Sequence, residues 1–445
     1  MPKILFIQPT QYAISEDGTR QQLCKQKIIH LPSLVFPLLA AMTPSDWEVE
    51  VNLEVVDDVD YDNDADLIGI GSMGHAIFRG VEIAAEFLKR GKTVVMGGYM
   101  ASLAATEAAK HVDSVIIGDA EKAYPRMLRD FMSGQPLAPF YEEPVTELRD
   151  LPLPRYELLT SKPISNLLPV QAGRGCSHNC SFCAIACLYK GRYLFRPVDE
   201  VIRDIARIKE LGYKRFYLID DNIISNPRYL EDLCREMEGF KMKWATQCDI
   251  NLARNRRLLD RVVRAGGYMF SFGIESITQE GLNNLNKGWM KVADHAALIR
   301  ELSAAGILVS SEMILGTDSD TIESIRATRD FVDNTRIPLP RFYILTPTPG
   351  TQLFEQYKAE DRLLTTDLYQ YTGTECVHRP ARISPEELTR EYWRLARQVF
   401  TLRSILRRTL LHPHFFRQPL DYIFAFFVNL HYRHYIRRGI PPNIF

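Results

Sequence analysis

The residues of this sequence best suited to chemistry are three closely spaced cysteines. Cys176, Cys180 and Cys183 follow a C-x3-C-x-Φ-C pattern in which Phe182 is the aromatic residue. Three thiolates can hold three irons of a cubane cluster and leave the fourth iron open. An open iron can bind an amino-acid chelate, which S-adenosylmethionine (SAM) offers through its amino and carboxylate groups. The spacing therefore predicts a [4Fe–4S] cluster.

A structural zinc site is the alternative for the same cysteines. Zinc usually takes four protein ligands, often in paired C-x2-C units, so His178 or Cys187 would supply the fourth. Four of the eight cysteines fall within twelve residues, and such a group in a cytosolic chain is more often a metal site than a disulfide framework. The remaining cysteines have no partner spacing and are predicted as core or surface thiols: Cys24, Cys234, Cys248 and Cys376.

The composition is that of an ordinary globular protein, with 46% hydrophobic and 24% charged residues in a chain of 445. That length suffices for two or three domains. A formal net charge of −1 gives no electrostatic argument for a nucleic-acid partner. The amino end runs directly into a strand-like segment rather than a signal peptide, so we expect a cytoplasmic protein.

Residues 1–140 alternate short apolar runs with helical stretches, which predicts a doubly wound, Rossmann-like α/β domain. Glycines end several strands, at the edge where such sheets bind ligands, although glycine is also a common turn residue. The predicted strands are Ile4–Ile7, Val49–Val55, Leu67–Gly71, Thr93–Met96 and Ser114–Ile117, and the predicted helices are Leu34–Met42, Arg79–Arg90 and Leu103–Ala109.

Residues 141–169 are a predicted linker, because their prolines break any regular element. Residues 170–375 contain about six further β/α units, which suits a partial (β/α)6 barrel better than a full one. Residues 376–445 are predicted to be a helical C-terminal region. The barrel strands are predicted at Leu167–Val170, Arg215–Ile219, Lys243–Gln247, Tyr268–Gly273, Leu308–Leu315 and Arg341–Thr346.

With its cysteine motif the chain resembles the radical SAM superfamily, and it is most similar to the branch that carries an N-terminal cobalamin-binding domain. Five later segments match that branch in order: Phe216–Asn222, Trp244–Asp249, Ser271–Ser276, Met313–Gly316 and Thr346–Thr351. The resemblance implies SAM contacts from Phe182, Asp220, Asp221, Gln247, Ser271, Glu275 and Gly316. From the residues alone, Asp220 and Asp221 would equally be a helix N-terminal charge pair, and Glu275 a helix cap.

Three glycine-containing strand ends resemble the cobalamin domain of that branch. The resemblance implies cobalamin contacts from Ser72, Met73, Gly97, Gly98, Tyr99, Gly118 and Glu121. The D-x-H-x-x-G motif of methionine-synthase-like domains is absent after the first strand, where the residues are Gln8-Pro-Thr-Gln11. We therefore expect a cobalt without a protein histidine beneath it. The alternative is a domain that keeps the fold and binds no cobalamin.

The resemblance implies reductive cleavage of SAM to a 5′-deoxyadenosyl radical that abstracts hydrogen from an unreactive carbon. In the commonest chemistry of the branch, methylcobalamin then methylates that carbon. The leading prediction is therefore C-methylation of a small-molecule, lipid or tetrapyrrole substrate, with an external reductant such as flavodoxin or ferredoxin. The alternative is a cyclase, oxidation or ring-rearrangement enzyme of the same branch. No catalytic side chain is assigned.

Two other functional classes fit the sequence less well. A non-enzymatic cobalamin sensor would need neither the cysteines nor the barrel segments. A tRNA methylthiolase would usually carry a second cysteine cluster and a basic RNA-binding domain.

The tail alternates aromatic and basic residues. Its apolar run Tyr422–Val428 is too short to span a bilayer, but nearby arginines would allow it to lie at a membrane interface. The arginines are Arg417, Arg433, Arg437 and Arg438. The favoured alternative is a helix packed over the barrel mouth with its arginines solvated.

Overall fold

The amino-terminal part of the chain folds around one sheet. The computed structural model describes residues 1–25 and 31–442. Its first elements are β1 (Lys3–Gln8), β2 (Tyr12–Ile14), β3 (Arg20–Leu23), α1 (Val35–Met42), β4 (Glu48–Leu53), β5 (Leu67–Gly71), α2 (Ile77–Lys89), β6 (Thr93–Gly97), α3 (Tyr99–Leu103), α4 (Ala105–Ala108), β7 (Ser114–Ile117), α5 (Ala120–Met132), β8 (Phe140–Glu142) and α6 (Glu157–Thr160).

Six parallel strands form this N-terminal sheet, in the order β4-β1-β5-β6-β7-β8. The order reverses beside β1, as in a doubly wound fold, which confirms the predicted fold class. The four central strands β1, β5, β6 and β7 are nearly continuous apolar runs because helices cover both faces. Strands β2, β3 and β8 and helix α5 were not predicted, and two other details differ from prediction. The helix expected over Leu103–Ala109 is two short helices, α3 and α4, and the segment predicted as an irregular linker contains α6 and the end of β8.

The next part of the chain contains a second parallel sheet. Its elements are β9 (Leu168–Gln171), β10 (Gly173–Gly175), α7 (Ala184–Tyr189), β11 (Tyr193–Phe195), α8 (Val198–Glu210), β12 (Arg215–Ile219), α9 (Pro227–Met237), β13 (Lys243–Cys248), α10 (Arg256–Arg264), β14 (Gly267–Glu275), α11 (Gln279–Asn284), α12 (Val292–Ala305), β15 (Leu308–Leu315), α13 (Ile322–Thr335), β16 (Leu339–Ile344) and α14 (Gln352–Ala359).

This barrel sheet has the strand order β16-β15-β14-β13-β12-β9. Successive strands are parallel neighbours joined by helices, and six of them form an open (β/α)6 partial barrel. The short strands β10 and β11 pair separately and flank the cysteine segment. Each of these two strands has only three residues, and two of the three in β10 are glycine. Segments this short carry no periodic pattern, so sequence analysis did not predict them.

Three helices complete the described chain: α15 (Pro385–Val399), α16 (Leu402–Arg408) and α17 (Pro419–Arg437). The first begins with the capping box expected at Ser384, whose side chain accepts from the Glu387 N–H while Glu387 accepts in return from the Ser384 N–H. No helix among residues 1–25 and 31–442 is long and apolar enough to cross a membrane.

Helix α17 lies across the amino ends of the barrel strands. The buried Asp421 pairs with Arg215 at 3.2 Å and with Lys243 at 2.8 Å, and these basic residues begin β12 and β13. Gln418 donates to the carbonyl of Gly306, just before β15. The prediction that this helix packs over the barrel mouth is therefore wrong, because Asp421 finds its cationic partners at the opposite end.

Candidate cluster and cofactor site

The cysteine loop joins β10 to α7 at the carboxyl end of the barrel sheet. Cys176, Cys180 and Cys183 are free thiols and partly buried, and Cys183 is the N-cap residue of α7. Burial raises the pKa of the Cys180 thiol to about 12, and the neighbouring thiols of Cys183 and Cys176 add to this rise. The three thiols thus lie close enough to interact electrostatically. Binding of iron must displace the thiol protons.

Both residues considered as a fourth zinc ligand are engaged elsewhere. His178 Nε2 lies 3.1 Å from Asp249 Oδ2, and its ring stacks on Trp289 with the centroids 3.8 Å apart. The Cys187 thiol donates to the carbonyl of Gly350 at 2.8 Å. Within the described ranges, no group of three or more His, Cys, Asp or Glu side chains is placed to hold a single metal ion. Because His178 and Cys187 have other partners, the three thiols fit a cluster with an open iron better than a four-ligand zinc site.

The ends of β12 and β13 hold the amino end of the cysteine loop. The N–H of Gly175 donates to Asp221 Oδ2 at 2.6 Å, and Asn222 Nδ2 donates to Cys176 Sγ at 3.6 Å. Asn222 Oδ1 accepts from the N–H of Asp249 at 3.0 Å. Asp221 is thus occupied by the loop backbone, and burial raises its pKa to about 6. Sequence reasoning missed Asn222, although it ends the segment that contains the predicted aspartates.

Asp220 is buried beneath the loop and supports β11. Its Oδ2 accepts from the Tyr193 hydroxyl at 2.7 Å, and its Oδ1 accepts from the N–H of Asn222 at 2.9 Å. Burial raises the pKa of Asp220 to about 8, and the negative charge of Asp221 adds to the rise.

A buried ion pair lies beside the cysteines. Glu275 ends β14 with a φ of 58°, a left-handed backbone that residues other than glycine rarely adopt. Its Oε1 is 2.8 Å from Lys287 Nζ, which also donates to the carbonyl of Gly273 at 2.9 Å. Burial lowers the pKa of Lys287, but the charges of Glu275 and Cys180 raise it further, so the cation is retained. Glu275 does not cap α11, because Thr278 does. Lys287 was not predicted.

Two predicted SAM residues face the barrel interior. Gln247 lies on β13, and Ser271 on β14 donates to Glu312 Oε1 at 2.7 Å. Arg341 on β16 pairs with the same Glu312. Together these side chains form a polar surface inside the partial barrel.

The last two predicted SAM residues are Phe182 and Gly316, and both make structural contacts within the protein. Gly316 has a φ of 96°, its N–H donates to Asp320 Oδ2 at 2.9 Å, and its carbonyl is 2.9 Å from His378 Nε2. Phe182 packs in a small apolar cluster that anchors the cysteine loop, with Leu285, Leu345, Leu353 and Tyr357. Their contacts with SAM stay predictions.

A cavity of about 900 Å³ lies between the carboxyl ends of the two sheets, and we call it the central cavity. Its recess in the N-terminal sheet is mostly apolar and is lined by Phe6, Phe36, Leu39, Tyr124 and Met127. Its barrel wall is polar and includes Tyr217, Gln247, Glu312, Arg341 and Tyr343. Such a cavity suits a large ligand with apolar and polar parts.

The residues predicted to contact cobalamin all line the central cavity: Ser72, Met73, Gly97, Gly98, Tyr99, Gly118 and Glu121. Ser72 Oγ and Glu121 Oε2 are buried and have no hydrogen-bond partner among the described residues. Ligand amides would satisfy such atoms. A Cβ on Gly118 would meet no atom within 4 Å, so a flat ring can approach the backbone there. The residues present fit a bulky planar ring with a polar edge.

His75 also lines the central cavity, and sequence reasoning missed it. Its Nε2 is 2.6 Å from the carbonyl of Tyr369, and its ring packs against Phe78 with the centroids 4.9 Å apart. This nitrogen is thus held by the backbone.

A parallel partial barrel with this cysteine loop at its carboxyl end defines a radical SAM enzyme, and residues 170–332 match the model of the Radical SAM superfamily. This part of the chain is therefore a radical SAM domain, the kind of domain that uses a [4Fe–4S] cluster and SAM.

Among known proteins, the chain is similar to two methyltransferases of Chlorobaculum tepidum. It is 28% identical over 359 residues to bacteriochlorophyllide d C-12(1)-methyltransferase, which covers 79% of this chain and 76% of that protein. It is 28% identical over 393 residues to bacteriochlorophyllide d C-8(2)-methyltransferase, covering 84% and 87%. The solved structure of TsrM from Kitasatospora setae, a radical SAM methyltransferase with cobalamin and a [4Fe–4S] cluster bound, matches with a TM-score of 0.64 at 17% identity, covering 88% of this chain and 85% of TsrM. That match shows a shared fold.

Proposed function

We propose that this protein is a radical SAM C-methyltransferase that uses cobalamin as its methyl carrier. The observation that carries the proposal is the central cavity. It joins the glycine-ended strands of the N-terminal sheet to the polar wall of the partial barrel. One enclosed space of this kind can hold a methyl carrier and a substrate against each other in reactive geometry.

Cys176, Cys180 and Cys183 would hold the cluster, which supplies the electron for reductive cleavage of SAM when bound. The surrounding residues of the chain organise this region. Asn222 donates to the Cys176 sulfur, and the Lys287 cation stands beside Cys180. The first contact orients the Cys176 sulfur, and the positive charge of Lys287 lowers the pKa of Cys180 against the effect of burial.

Ser72, Gly97, Gly98, Gly118 and Glu121 would hold cobalamin, which supplies the methyl group when bound. The open space above Gly97 and Gly118 suits the flat face of the corrin. The buried oxygens of Ser72 and Glu121 suit its amide side chains. The apolar recess of the N-terminal sheet would receive the base of the cobalamin tail.

The substrate we propose is a tetrapyrrole. Both curated relatives described above are named as methyltransferases of bacteriochlorophyllide d, and each match covers more than three quarters of this chain. The barrel wall offers tyrosine rings for a flat macrocycle, and its Glu312–Arg341 pair offers hydrogen bonds for a polar edge. Aromatic surfaces bind flat rings through offset stacking.

The test is anaerobic turnover of the reduced holoenzyme with methyl-labelled SAM and bacteriochlorophyllide d as the first probe. We expect S-adenosylhomocysteine and 5′-deoxyadenosine in equal amounts per methylated product, with the label on a substrate carbon. An unlabelled product with 5′-deoxyadenosine alone would replace the methyltransferase proposal with the cyclase, oxidation or rearrangement alternative. If bacteriochlorophyllide d is not turned over but a lipid acquires the label, the proposed substrate class changes from tetrapyrrole to lipid.

We also propose that α17 contacts an anionic membrane surface. Leu420, Phe424 and Phe427 lie at i, i+4 and i+7 and are exposed, with 61% of Phe427 accessible. Residues 400–442 contain seven arginines and one acidic residue, Asp421. An apolar stripe within a basic region is typical of interfacial helices.

The proposed electron donor is an external reductant such as flavodoxin or ferredoxin.

A further inference from the structure

A buried ion bridge joins the cysteine loop to the N-terminal sheet. Arg174, two residues before Cys176, donates through Nη1 to Asp119 Oδ1 at 2.8 Å and through Nη2 to Glu121. The side chains of Arg174, Asp119 and Glu121 are 13%, 17% and 11% exposed. Asp119 is the N-cap residue of α5 and Glu121 lies in the first turn of that helix, and both residues line the central cavity.

The other end of the cysteine loop contacts the same carboxylate. Tyr189, the last residue of α7, donates its hydroxyl to Asp119 Oδ1 at 2.8 Å. Arg174 precedes the first cysteine and Tyr189 follows the last one. Asp119 therefore bonds both ends of the cysteine loop.

Asp119 makes these bonds instead of a capping hydrogen bond to its own helix. It occupies the N-cap position of α5, but its side chain makes no cap hydrogen bond. Aspartate at this position usually accepts from a backbone N–H in the first turn of its own helix. Here the carboxylate is turned towards Arg174 and Tyr189, so its role is the connection between the two sheets.

Glu121 links this bridge to the ligand space. Arg174 contacts one of its carboxylate oxygens, while the other, Oε2, is buried and has no partner within the described part of the chain. Glu121 lines the central cavity beside Gly118. A ligand amide that donates to Oε2 would fix the carboxylate against Arg174.

We infer that Arg174 is a positioning residue that makes occupancy of the two cofactor sites interdependent. A ligand in the central cavity fixes Glu121 and Asp119, and these fix the cysteine loop through Arg174 and Tyr189. This inference rests on the proposed function, because it takes the ligand to be cobalamin. Thermodynamic linkage then requires the reverse effect, so a loaded cluster must raise the affinity for cobalamin by the same factor.

The coupling is measured as the ratio of two dissociation constants for hydroxocobalamin. Both are determined anaerobically on the full chain, one with the cluster loaded and one after removal of iron. We expect the loaded protein to bind about tenfold more tightly. Asp119→Asn removes the charge and keeps the shape, and should bring the ratio close to one. Tyr189→Phe should lower the ratio in part.

A matched control comes from the same helix. Arg126 on α5 pairs with Glu143 at 3.4 Å and does not contact the barrel sheet through that pair. Arg126→Gln should keep the ratio of the unaltered protein. A general structural defect would weaken binding in both forms and leave the ratio unchanged, so the ratio separates positioning from folding. Retention of iron gives a second readout: during a fixed anaerobic exposure to a chelator, hydroxocobalamin should slow the loss of iron from the unaltered protein but not from Asp119→Asn.

A ratio near one in the unaltered protein overturns the inference. So does a tenfold ratio that survives both Asp119→Asn and Arg174→Gln, because the coupling would then run elsewhere. Absence of hydroxocobalamin binding in both forms would instead remove the proposed function itself. The two failures are thus distinguishable.

Discussion

A larger side chain at Gly97 would fill part of the central cavity without disturbing the surrounding fold. Gly97 ends β6, and a Cβ built there would come no closer than 3.9 Å to Ile116. Gly97→Ala should therefore be accepted, while Gly97→Phe should place a ring where we propose the corrin lies. Overfilling a packed site costs about 1–3 kcal/mol, which corresponds to about 5- to 150-fold weaker binding of cobalamin.

The assay is equilibrium dialysis of hydroxocobalamin against the unaltered protein, Gly97→Ala and Gly97→Phe. Iron content after reconstitution without cobalamin should be equal in all three, because the nearest neighbour of a Cβ at Gly97 is Ile116 and not the cysteine loop. Gly97→Ala should bind within about threefold of the unaltered protein, since a methyl group in ordinary contact costs little. If Gly97→Phe folds, loads iron and binds cobalamin as tightly as the unaltered protein, the placement of cobalamin is refuted.

Three further predictions concern the cluster, the buried acid and the tail. Replacing Cys176, Cys180 and Cys183 together with alanine should abolish bound iron and the broad absorption near ~400 nm, whereas Cys187→Ala should keep both; iron in the triple variant would contradict the assignment. Because the pKa of folded Asp220 is raised from 3.8 to about 8, its folded form holds a proton that the unfolded chain releases, so it makes stability fall as pH rises between those values, by at most about 1.4 kcal/mol per pH unit. Asp220→Asn should flatten this slope in urea unfolding from pH 5 to 8, and an unchanged slope would exclude Asp220 as its source. The protein should co-sediment with anionic vesicles, less so in high salt, and Phe424→Ser with Phe427→Ser should weaken this; equal sedimentation of both proteins would favour packing as the sole role of α17.

Much of the fold follows from local patterns in the sequence. The barrel strands β12 and β15 match their predicted bounds, because short segments rich in apolar residues leave a strong signal between helices of regular period. The cysteine loop lies at the carboxyl end of the barrel sheet as predicted, although the unpredicted strand β10 comes between β9 and the loop. Helix α15 begins where its capping residues predict.

The parts that escaped prediction depend on partners distant in sequence. Arg174 meets Asp119 across 55 residues, and Asp421 meets Lys243 across 178. The periodicity of a sequence gives no information about such distant pairs. Sequence analysis therefore could not predict the bridge between the two sheets, or which end of the barrel α17 covers. Lys287 also escaped prediction, because a lysine after a short helix is ordinarily a solvated surface residue.

The central cavity also affects how the protein should be produced. A ligand that binds the folded chain but not the unfolded one adds stability by mass action, about 2.7 kcal/mol at a hundredfold excess over its dissociation constant. Chains synthesised in cells without a corrinoid supply would lack that contribution and expose the apolar recess beside Phe36 and Tyr124 to water. Such chains should be cleaved faster by proteases and recovered in lower yield. Expression hosts that take up cobalamin should therefore give more intact protein, even before any cluster is assembled.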